Sequence, residues 1–219
     1  MAVSWSLETH ETLDSTQARA KELAAQSAQE GTCVQALAQN SGHGRHGREW
    51  VSPRGNLYLS FILRPKCEIR DMPQLSLVTA LALAAVINHD DLTLKWPNDI
   101  LIGGKKCAGI LLEREGDALI VGVGVNTKSA PEGAACVDVK RDQFLDQFDI
   151  FYQSCLAGGF AKIRAQWLEK SYAPGTKMSV KNGSHIIQGA FIGLDSTGNL
   201  LLEREGEIKI ISAGEIHCC

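Results

Sequence analysis

The spacing of hydrophobic residues over the first 170 positions predicts helices packed on a sheet. Residues 72–89 are rich in alanine and leucine, and apolar residues recur every three or four positions over residues 143–168, which is typical of helices facing a core. Gly158-Gly159 is expected to break or bend the second of these helices. Residues 56–63 are apolar at nearly every position, as expected for a strand covered on both faces. A further helix is predicted to begin at Asp14-Ser15-Thr16, whose side chains suit an N-cap, and to stop at Gly31.

The other strands predicted in this region are short and end in turns. They cover residues 5–12, 32–38, 92–94, 100–102, 108–113 and 118–125. Paired glycines at residues 103–104 predict a hairpin turn. Gly122 and Gly124 alternate with valines, and glycines on one strand face indicate that a ligand or another segment comes close there.

The spacing changes after Ala173-Pro174-Gly175, which marks the best candidate for a domain boundary. Beyond it, short strands alternate with turns, at residues 178–181, 186–194, 200–203 and 208–211. We therefore expect an α+β chain with a mixed-sheet domain at residues 1–172 and a small β-barrel at residues 173–219. About fifty residues form a marginal core, so the barrel is expected to pack on the larger domain.

Composition and charge narrow the classes of function. The 219 residues carry a formal net charge of -3, which argues against general nucleic-acid binding. The start of the chain lacks a secretory signal pattern, and the apolar stretch at residues 75–87 is too short to span a bilayer. The seven cysteines are odd in number and include no Cys-x-x-Cys pair, so we expect reduced thiols rather than disulfides or a cysteine metal site. A cytoplasmic protein that binds neither DNA nor membrane is expected.

A glycine-rich loop at residues 42–50 is the strongest candidate for chemistry. Its three glycines alternate with Arg45, Arg48 and two histidines, and Trp50 closes it. Arginine offers a planar fork of donors that suits phosphate or carboxylate, and an indole can stack on a base. A solvated basic turn is the alternative that this stretch alone leaves open.

Other polar residues stand at helix starts, strand ends and turns, where sheet proteins gather functional groups. They are Ser15, Thr16, Gln39, Lys95, Asn98, Asp99, Lys106 and Asn126. Together with the arginines of the glycine-rich loop, the two lysines suit anionic ligands. Asn98 and Asp99 offer oxygen atoms to a hard cation such as Mg²⁺.

These segments, taken in order, resemble the biotin protein ligases. The motifs that carry the resemblance are Asp14-Ser15-Thr16, the glycine-rich loop, Lys95-Trp96-Pro97-Asn98-Asp99, residues 106–113 (KCAGILLE), Gly122-Val123-Gly124-Val125-Asn126, and the small C-terminal segments at residues 189–195 and 198–203. The resemblance implies a class II synthetase-like catalytic domain and a C-terminal SH3-like barrel. It also implies a two-step reaction, in which biotin and Mg-ATP give biotinyl-5′-adenylate and a lysine of a biotin carboxyl carrier protein or domain then takes the biotinyl group.

The same resemblance implies roles for individual residues. Biotin-binding residues would be Ser15, Thr16, Gln17, Gln39, His43, Gly44, Arg45 and Lys106. ATP or adenylate would contact Arg48, Trp50, Lys95, Asn98, Asp99 and Asn126, with Asn98 and Asp99 also serving the metal. Lys106 and Arg45 would be catalytic.

Two features of this chain depart from family patterns. His43 and His46 stand where the family loop commonly has arginine, which makes the loop less cationic near neutral pH. Only thirteen residues precede Asp14, so we expect no DNA-binding domain ahead of the catalytic one. A lipoate-type ligase and a non-catalytic biotin sensor stay open as alternatives, and the chain is compatible with a monomer or a homodimer.

Overall fold

The structure is a computed structural model that describes residues 2–183 and 185–218. Within these ranges the chain forms two sheets and four α-helices. The strands are β1 Ser6–His10, β2 Thr32–Ala36, β3 Leu57–Leu63, β4 Leu92–Lys95, β5 Asp99–Ile102, β6 Lys105–Glu115, β7 Ala118–Val125, β8 Lys177–Asn182, β9 His185–Leu194, β10 Leu200–Arg204, β11 Glu207–Ile211 and β12 Glu215–Cys218. The helices are α1 Thr16–Ala25, α2 Gln74–Ile87, α3 Arg141–Ser154 and α4 Phe160–Glu169.

The first sheet has seven strands in the order β1-β2-β3-β7-β6-β5-β4. The β1–β2 pair is parallel and every other neighbouring pair is antiparallel, so the sheet is mixed as predicted. All seven residues of β3 are buried, because β3 lies between β2 and β7 inside the sheet and is covered on both faces.

Helices cover the two faces of this sheet unequally. The α1 helix packs on β2, β3 and β7, where Ala20 and Ala24 meet Val34 and Ile62. The alternate residues of β3 face the main core, which also contains α2, α3 and α4. Because α1 is short, it leaves part of its own sheet face open, and the cavity described below lies there.

The second sheet is antiparallel, with the strand order β11-β10-β9-β8-β12. The α+β class is confirmed, but the predicted barrel needs correction, because the described strand pairing leaves β11 and β12 as edges rather than closing the sheet. The sheet also gains β12, which the sequence patterns did not predict. Its buried residues, such as Val180 and Phe191, belong to the same continuous core as those of the first sheet.

Of two predicted helix boundaries, one is wrong and one is confirmed. The predicted stop of α1 at Gly31 was wrong, because the helix ends at Ala25 and Ser27 already has a positive φ of 66°. Gly31 instead allows close packing at β1, since a Cβ there would lie 2.2 Å from the Ser4 carbonyl oxygen. The predicted break at residues 158–159 is confirmed, because a wider turn over Cys155–Gly159 separates α3 from α4.

The α2 helix is the most apolar helix of the described chain. The segment Ile69–Ile87, 19 residues long, is by length and composition the one described helix that could cross a membrane. Every residue from Gln74 to Ala84 is buried, however, and the helix contacts β4, β5 and β6 as well as α3 and α4. These contacts are those of a core helix.

Candidate functional site

A cavity of about 330 Å³ opens on the α1 face of the first sheet. Its walls are the N-terminus of α1, the glycine-rich loop, the ends of the central strands and residues 214–216 of the second sheet. All fourteen residues proposed from the sequence line it: Ser15, Thr16, Gln17, Gln39, His43, Gly44, Arg45, Arg48, Trp50, Lys95, Asn98, Asp99, Lys106 and Asn126. The structure therefore brings the candidates together, while the role of each one stays a prediction.

A network of polar side chains forms one end of the cavity, at the start of α1. Ser15 is the N-cap and accepts a hydrogen bond from the Ala18 amide at 3.3 Å. The Thr16 amide and hydroxyl both donate to Gln39 Oε1, at 2.8 and 3.2 Å. Gln39 Nε2 in turn donates to Ser52 Oγ at 3.0 Å. These bonds fix the orientation of the Gln39 amide at the cavity wall.

A second branch of the network runs beneath α1. The hydroxyls of Thr16 and Ser60 are 2.8 Å apart, and Ser60 Oγ donates to Gln17 Oε1 at 3.0 Å. Gln17 Nε2 reaches the Ile120 carbonyl oxygen at 3.4 Å. Because Gln17 and Ser60 are buried, this branch holds the polar end of the cavity in one arrangement.

The floor of the cavity is built from glycines on β6 and β7. Gly109 and Gly124 are opposite each other in the β6–β7 ladder, and the Trp50 indole lies over both. A Cβ on Gly124 would stand 2.6 Å from Trp50 Cε2, and one on Gly122 would stand 2.5 Å from Gln17 Oε1. The predicted close approach to this strand face is confirmed, with side chains as the approaching groups.

Cationic groups converge above this floor. Lys106 Nζ lies 2.6 Å from Asp99 Oδ1 and 5.1 Å from the centroid of the Trp50 ring. Arg45 Nη1 donates to Asn98 Oδ1 at 3.3 Å. Burial lowers the pKa of the Arg45 guanidinium from its usual value, and the nearby Asp99 carboxylate opposes that change. The site thus holds two cations whose present partners are a carboxylate and an amide, groups that an anionic ligand can replace.

The glycine-rich loop is joined to the second sheet. Arg45 Nη1 also donates to the Gly214 carbonyl oxygen at 3.2 Å, and Arg48 makes a two-pronged ion pair with Glu215, one arm of which measures 2.5 Å. The Arg48 guanidinium lowers the pKa of the Glu215 carboxyl to about 2. The second sheet is therefore part of the site and helps to hold the loop over the cavity.

His43 occupies the first of the two altered loop positions. Its Nε2 lies 3.8 Å from Glu113 Oε2, and Lys21 Nζ lies 3.3 Å from the other oxygen of that carboxylate. His46 is in a turn of the loop with a positive φ of 57° and also lines the cavity. The two histidines thus stand at the cavity rim, and their functions stay untested.

Three residues of the site were missed by sequence reasoning. Ser52 links Gln39 to the Trp50 carbonyl oxygen, Ser60 links Thr16 to Gln17, and Glu215 holds Arg48. A serine inside an apolar strand, as Ser60 is, gives a weak signal for a buried polar network. Glu215 gave none, because its importance depends on a contact with a loop 167 residues away.

The geometry suits a ligand with a polar ring at one end and anionic groups in the middle. Hydrogen-bonding groups at the Thr16 and Gln39 end can hold the ring. Arg45 and Lys106 can bring a carboxylate and a phosphate together, because their charges reduce the mutual repulsion of two anions. Trp50 offers a flat apolar face beside them.

Comparison with known proteins identifies the family. The sequence model described as "Biotin/lipoate A/B protein ligase family" matches residues 10–126, which include all fourteen site residues proposed from the sequence. The chain belongs to this family. A second model, "Biotin protein ligase C terminal domain", matches residues 179–217, so both sheets of this ligase-family chain have counterparts in known ligases.

Similar proteins cover nearly the whole of this chain. The biotin--[acetyl-CoA-carboxylase] ligase of Paracoccus denitrificans is 35% identical over an alignment that spans 93% of this chain and 96% of that protein. The bifunctional ligase/repressor BirA of Bacillus subtilis (strain 168) is also 35% identical, over 94% of this chain and 72% of that protein. The structure of the biotin protein ligase from Aquifex aeolicus in complex with biotin and ATP matches with a TM-score of 0.82 and 31% identity, covering 96% and 97% of the two chains.

Proposed function

We propose that this chain is a biotin protein ligase, which activates biotin with ATP as biotinyl-5′-adenylate and transfers the biotinyl group to a lysine of a biotin carboxyl carrier protein. The observation that carries the proposal is the convergence of Lys106 and Arg45 on the same cavity as the Thr16–Gln39 network. Relatives that span this chain almost completely are named as biotin ligases, and a similar structure holds both biotin and ATP.

Biotin is favoured over lipoate by the second sheet. The family model for the first sheet covers biotin and lipoate ligases alike. The model matched by residues 179–217 is that of biotin protein ligases, and this segment supplies Glu215 to the cavity. A non-catalytic biotin sensor is disfavoured, because simple binding of a monoanion does not require both Arg45 and Lys106.

The first step joins two anions. A biotin carboxylate oxygen forms a bond to the α-phosphorus of ATP, the bond from that phosphorus to the β-bridging oxygen breaks, and pyrophosphate leaves. Lys106 and Arg45 are proposed to lie along the developing contact between carboxylate and phosphate, where fixed positive charge stabilises the transition state more than the separated reactants. For this role Lys106 exchanges its Asp99 partner for the ligand.

The second step transfers the biotinyl group. The amine of a carrier lysine attacks the acyl carbon of the adenylate, an amide bond forms, the acyl–phosphate bond breaks, AMP leaves and the amine loses a proton. Because the adenylate is a mixed anhydride that water can hydrolyse, a loop that covers it is useful. The glycine-rich loop, held by Gly214 and Glu215, is proposed to perform this covering.

The family implies a magnesium ion, and the oxygen atoms in the cavity suit one only when ATP supplies further ligands. Asp99 offers one carboxylate to the cavity and Asn98 one amide oxygen. Over residues 2–183 and 185–218, no group of three or more His, Cys, Asp or Glu side chains could hold a metal. Mg²⁺ commonly takes one or two protein carboxylates together with substrate phosphates, so Asp99 and Asn98 would hold it only with ATP present, where it would neutralise phosphate charge.

The remaining predictions concern organisation and partners. A division into residues 1–172 and 173–219 is supported by the end of α4 at Glu169 and by strands from Lys177 onward that pair only within the second sheet. The names of the relatives support a carboxylase carrier as the protein substrate. A cytoplasmic location, the absence of DNA binding and a homodimer stay predictions.

A substrate comparison tests the proposed function. Purified protein is mixed with Mg-ATP and either biotin or lipoate, and pyrophosphate release is followed. We expect release with biotin at a rate at least tenfold above that with lipoate. Faster release with lipoate would favour the lipoate-type ligase, and tight biotin binding without any pyrophosphate would favour a sensor.

A further inference from the structure

A buried asparagine outside the cavity connects β3, an interior strand of the first sheet, to one cavity wall. Asn56 directly precedes β3 and is only 6% exposed. It does not line the cavity. A buried polar side chain must be fully hydrogen-bonded, so the partners of Asn56 indicate what it does.

Four hydrogen bonds of the Asn56 side chain go to one short segment, residues 127–129, and the side chain also interacts with Tyr58. Its Oδ1 accepts three consecutive backbone N–H groups, from Thr127 at 3.0 Å, Lys128 at 2.8 Å and Ser129 at 3.1 Å. Its Nδ2 donates to the Ser129 carbonyl oxygen at 2.8 Å. Thr127 Oγ1 adds a bond to the neighbouring Gly55 carbonyl oxygen at 2.7 Å. Five hydrogen bonds thus clamp the segment to the start of β3.

The clamped segment begins a long connection. Residues 126–140 join β7 to α3 without a helix or strand of their own, and connections of that length in compact domains are usually functional or flexible. Pro131 and Ala134, further along the connection, line the cavity. We call residues 127–135 the wall loop.

The far end of the wall loop is tied to the candidate catalytic lysine. The Ala135 amide donates to the Lys106 carbonyl oxygen at 3.0 Å, and Asn126 Nδ2 donates to the Ala135 carbonyl oxygen at 3.3 Å. The Asn126 amide donates to the Cys107 carbonyl oxygen at 2.9 Å. Asn56 at one end, and Asn126 with Lys106 at the other, therefore hold the wall loop between them.

We infer that Asn56 is a positioning residue for the nucleotide side of the site: by clamping the wall loop it holds Asn126 and the Lys106 backbone where the adenylate is made. This inference rests on the proposed function. The effect is expected mainly on the nucleotide side, because Gln39 is oriented by Thr16 and Ser52. Tyr58 interacts with both Asn56 and Ser52, but its hydroxyl donates to the Pro53 carbonyl oxygen at 2.8 Å and so does not depend on Asn56 alone. A displacement of about 1 Å in a positioned group can cost a hundredfold in rate, so a loosened wall loop has a measurable effect.

The test uses the full chain and separates the two substrates. For Asn56→Ala we expect the KM for ATP to rise about tenfold, while the Kd for biotin measured without ATP stays within twofold of wild type. Asn56→Asp keeps the acceptor for three N–H groups and loses only the bond to the Ser129 carbonyl, so its KM for ATP should fall between those of wild type and alanine. The matched control is Asn199→Ala, which removes hydrogen bonds to Asp195 and Thr197 in a turn of the second sheet and should change neither constant.

Each outcome decides the inference. A folded Asn56→Ala variant with an unchanged KM for ATP, or with equal losses of ATP and biotin binding, would show that Asn56 only supports the fold. If the alanine variant does not fold, Asn56→Asp and Thr127→Val, which loses the bond to Gly55, decide in the same way. If wild type releases pyrophosphate with biotin and these variants behave normally, this inference alone fails. If wild type releases none, the proposed function fails and this inference fails with it.

Discussion

The Lys106 ammonium lies between the Asp99 carboxylate and the face of the Trp50 indole. Neighbouring Lys105 is exposed, at the first position of β6 beside the β5–β6 turn. Two adjacent lysines therefore stand in opposite surroundings, one in the cavity and one outside it. This contrast provides a matched pair for testing the proposed chemistry at the scale of one residue.

Lys106→Ala should lower the rate of biotin-dependent pyrophosphate release at least about a hundredfold, because removal of one preorganised donor from a developing anion costs that much in other enzymes. Lys105→Ala should change it by less than twofold. Circular dichroism checks that both variants fold. Equal rates for the two variants would remove Lys106 from the proposed role.

At this scale much of the site could be predicted from the sequence, since polar residues at strand ends and in a glycine-rich loop carry their chemistry in their identity. Asn56, Ser52 and Ser60 could not be identified in this way. Each of them acts through hydrogen bonds to segments distant in sequence, such as the bond from Thr127 to Asn56. Only the fold makes those partners neighbours.

The glycine-rich loop and β12 are the two elements whose contact matters most for the proposed reaction. Arg48 and Glu215 form an ion pair whose side chains are 61% and 33% exposed. Because exposed ion pairs are only slightly stabilising, this pair alone holds the loop weakly. The second contact between the loop and this segment, the hydrogen bond from Arg45 to the Gly214 carbonyl oxygen, is more buried. Because the pKa of the Glu215 carboxyl is lowered, the stabilisation from its ion pair with Arg48 is fully present above the usual carboxyl pKa of 4.5. It is lost only as the pH falls towards about 2.

Glu215→Gln should therefore increase the escape of biotinyl-adenylate about two- to fivefold at neutral pH. This range corresponds to the small free energy by which an exposed ion pair stabilises a contact. Escape is measured as biotin attached to lysines of an unrelated protein such as serum albumin. Glu207→Gln is the control, because Glu207 pairs with Lys209 within the second sheet, away from the cavity. If stray labelling is unchanged in Glu215→Gln, this ion pair does not hold the loop closed.

Sequence patterns predicted the elements better than their ends. The spacing of apolar residues predicted the helices within residues 143–168, and Gly158-Gly159 predicted the break between them. Both signals depend on residues that are close together in the sequence. The end of α1 was wrong, since Gly31 serves the packing of β1 and not the helix. β12 was missed because its pairing with β8 depends on the second sheet as a whole.

At the scale of the whole molecule, the main hydrophobic core of the described residues runs through both sheets, and a smaller cluster lies under α1. Trp96 Nε1 donates to the Gly198 carbonyl oxygen, between β9 and β10, at 3.0 Å, and α4 contacts β9. The second sheet therefore has a fixed relation to the cavity and contributes to its wall. The sequence predicted this packing from the small size of the second unit, but a closed barrel does not follow from four short strand patterns, because closure depends on register.

The central claim is that cavity residues join biotin to AMP and deliver biotin to a carrier. The most direct measurement is the intact mass of a biotin carboxyl carrier domain after incubation with this protein, biotin, Mg²⁺ and ATP, with Lys106→Ala in parallel. We predict that wild type adds one biotinyl group to one carrier lysine, that omission of ATP abolishes the addition, and that Lys106→Ala lowers its rate about a hundredfold. An unmodified carrier with wild type, or equal modification by wild type and Lys106→Ala, would contradict the account.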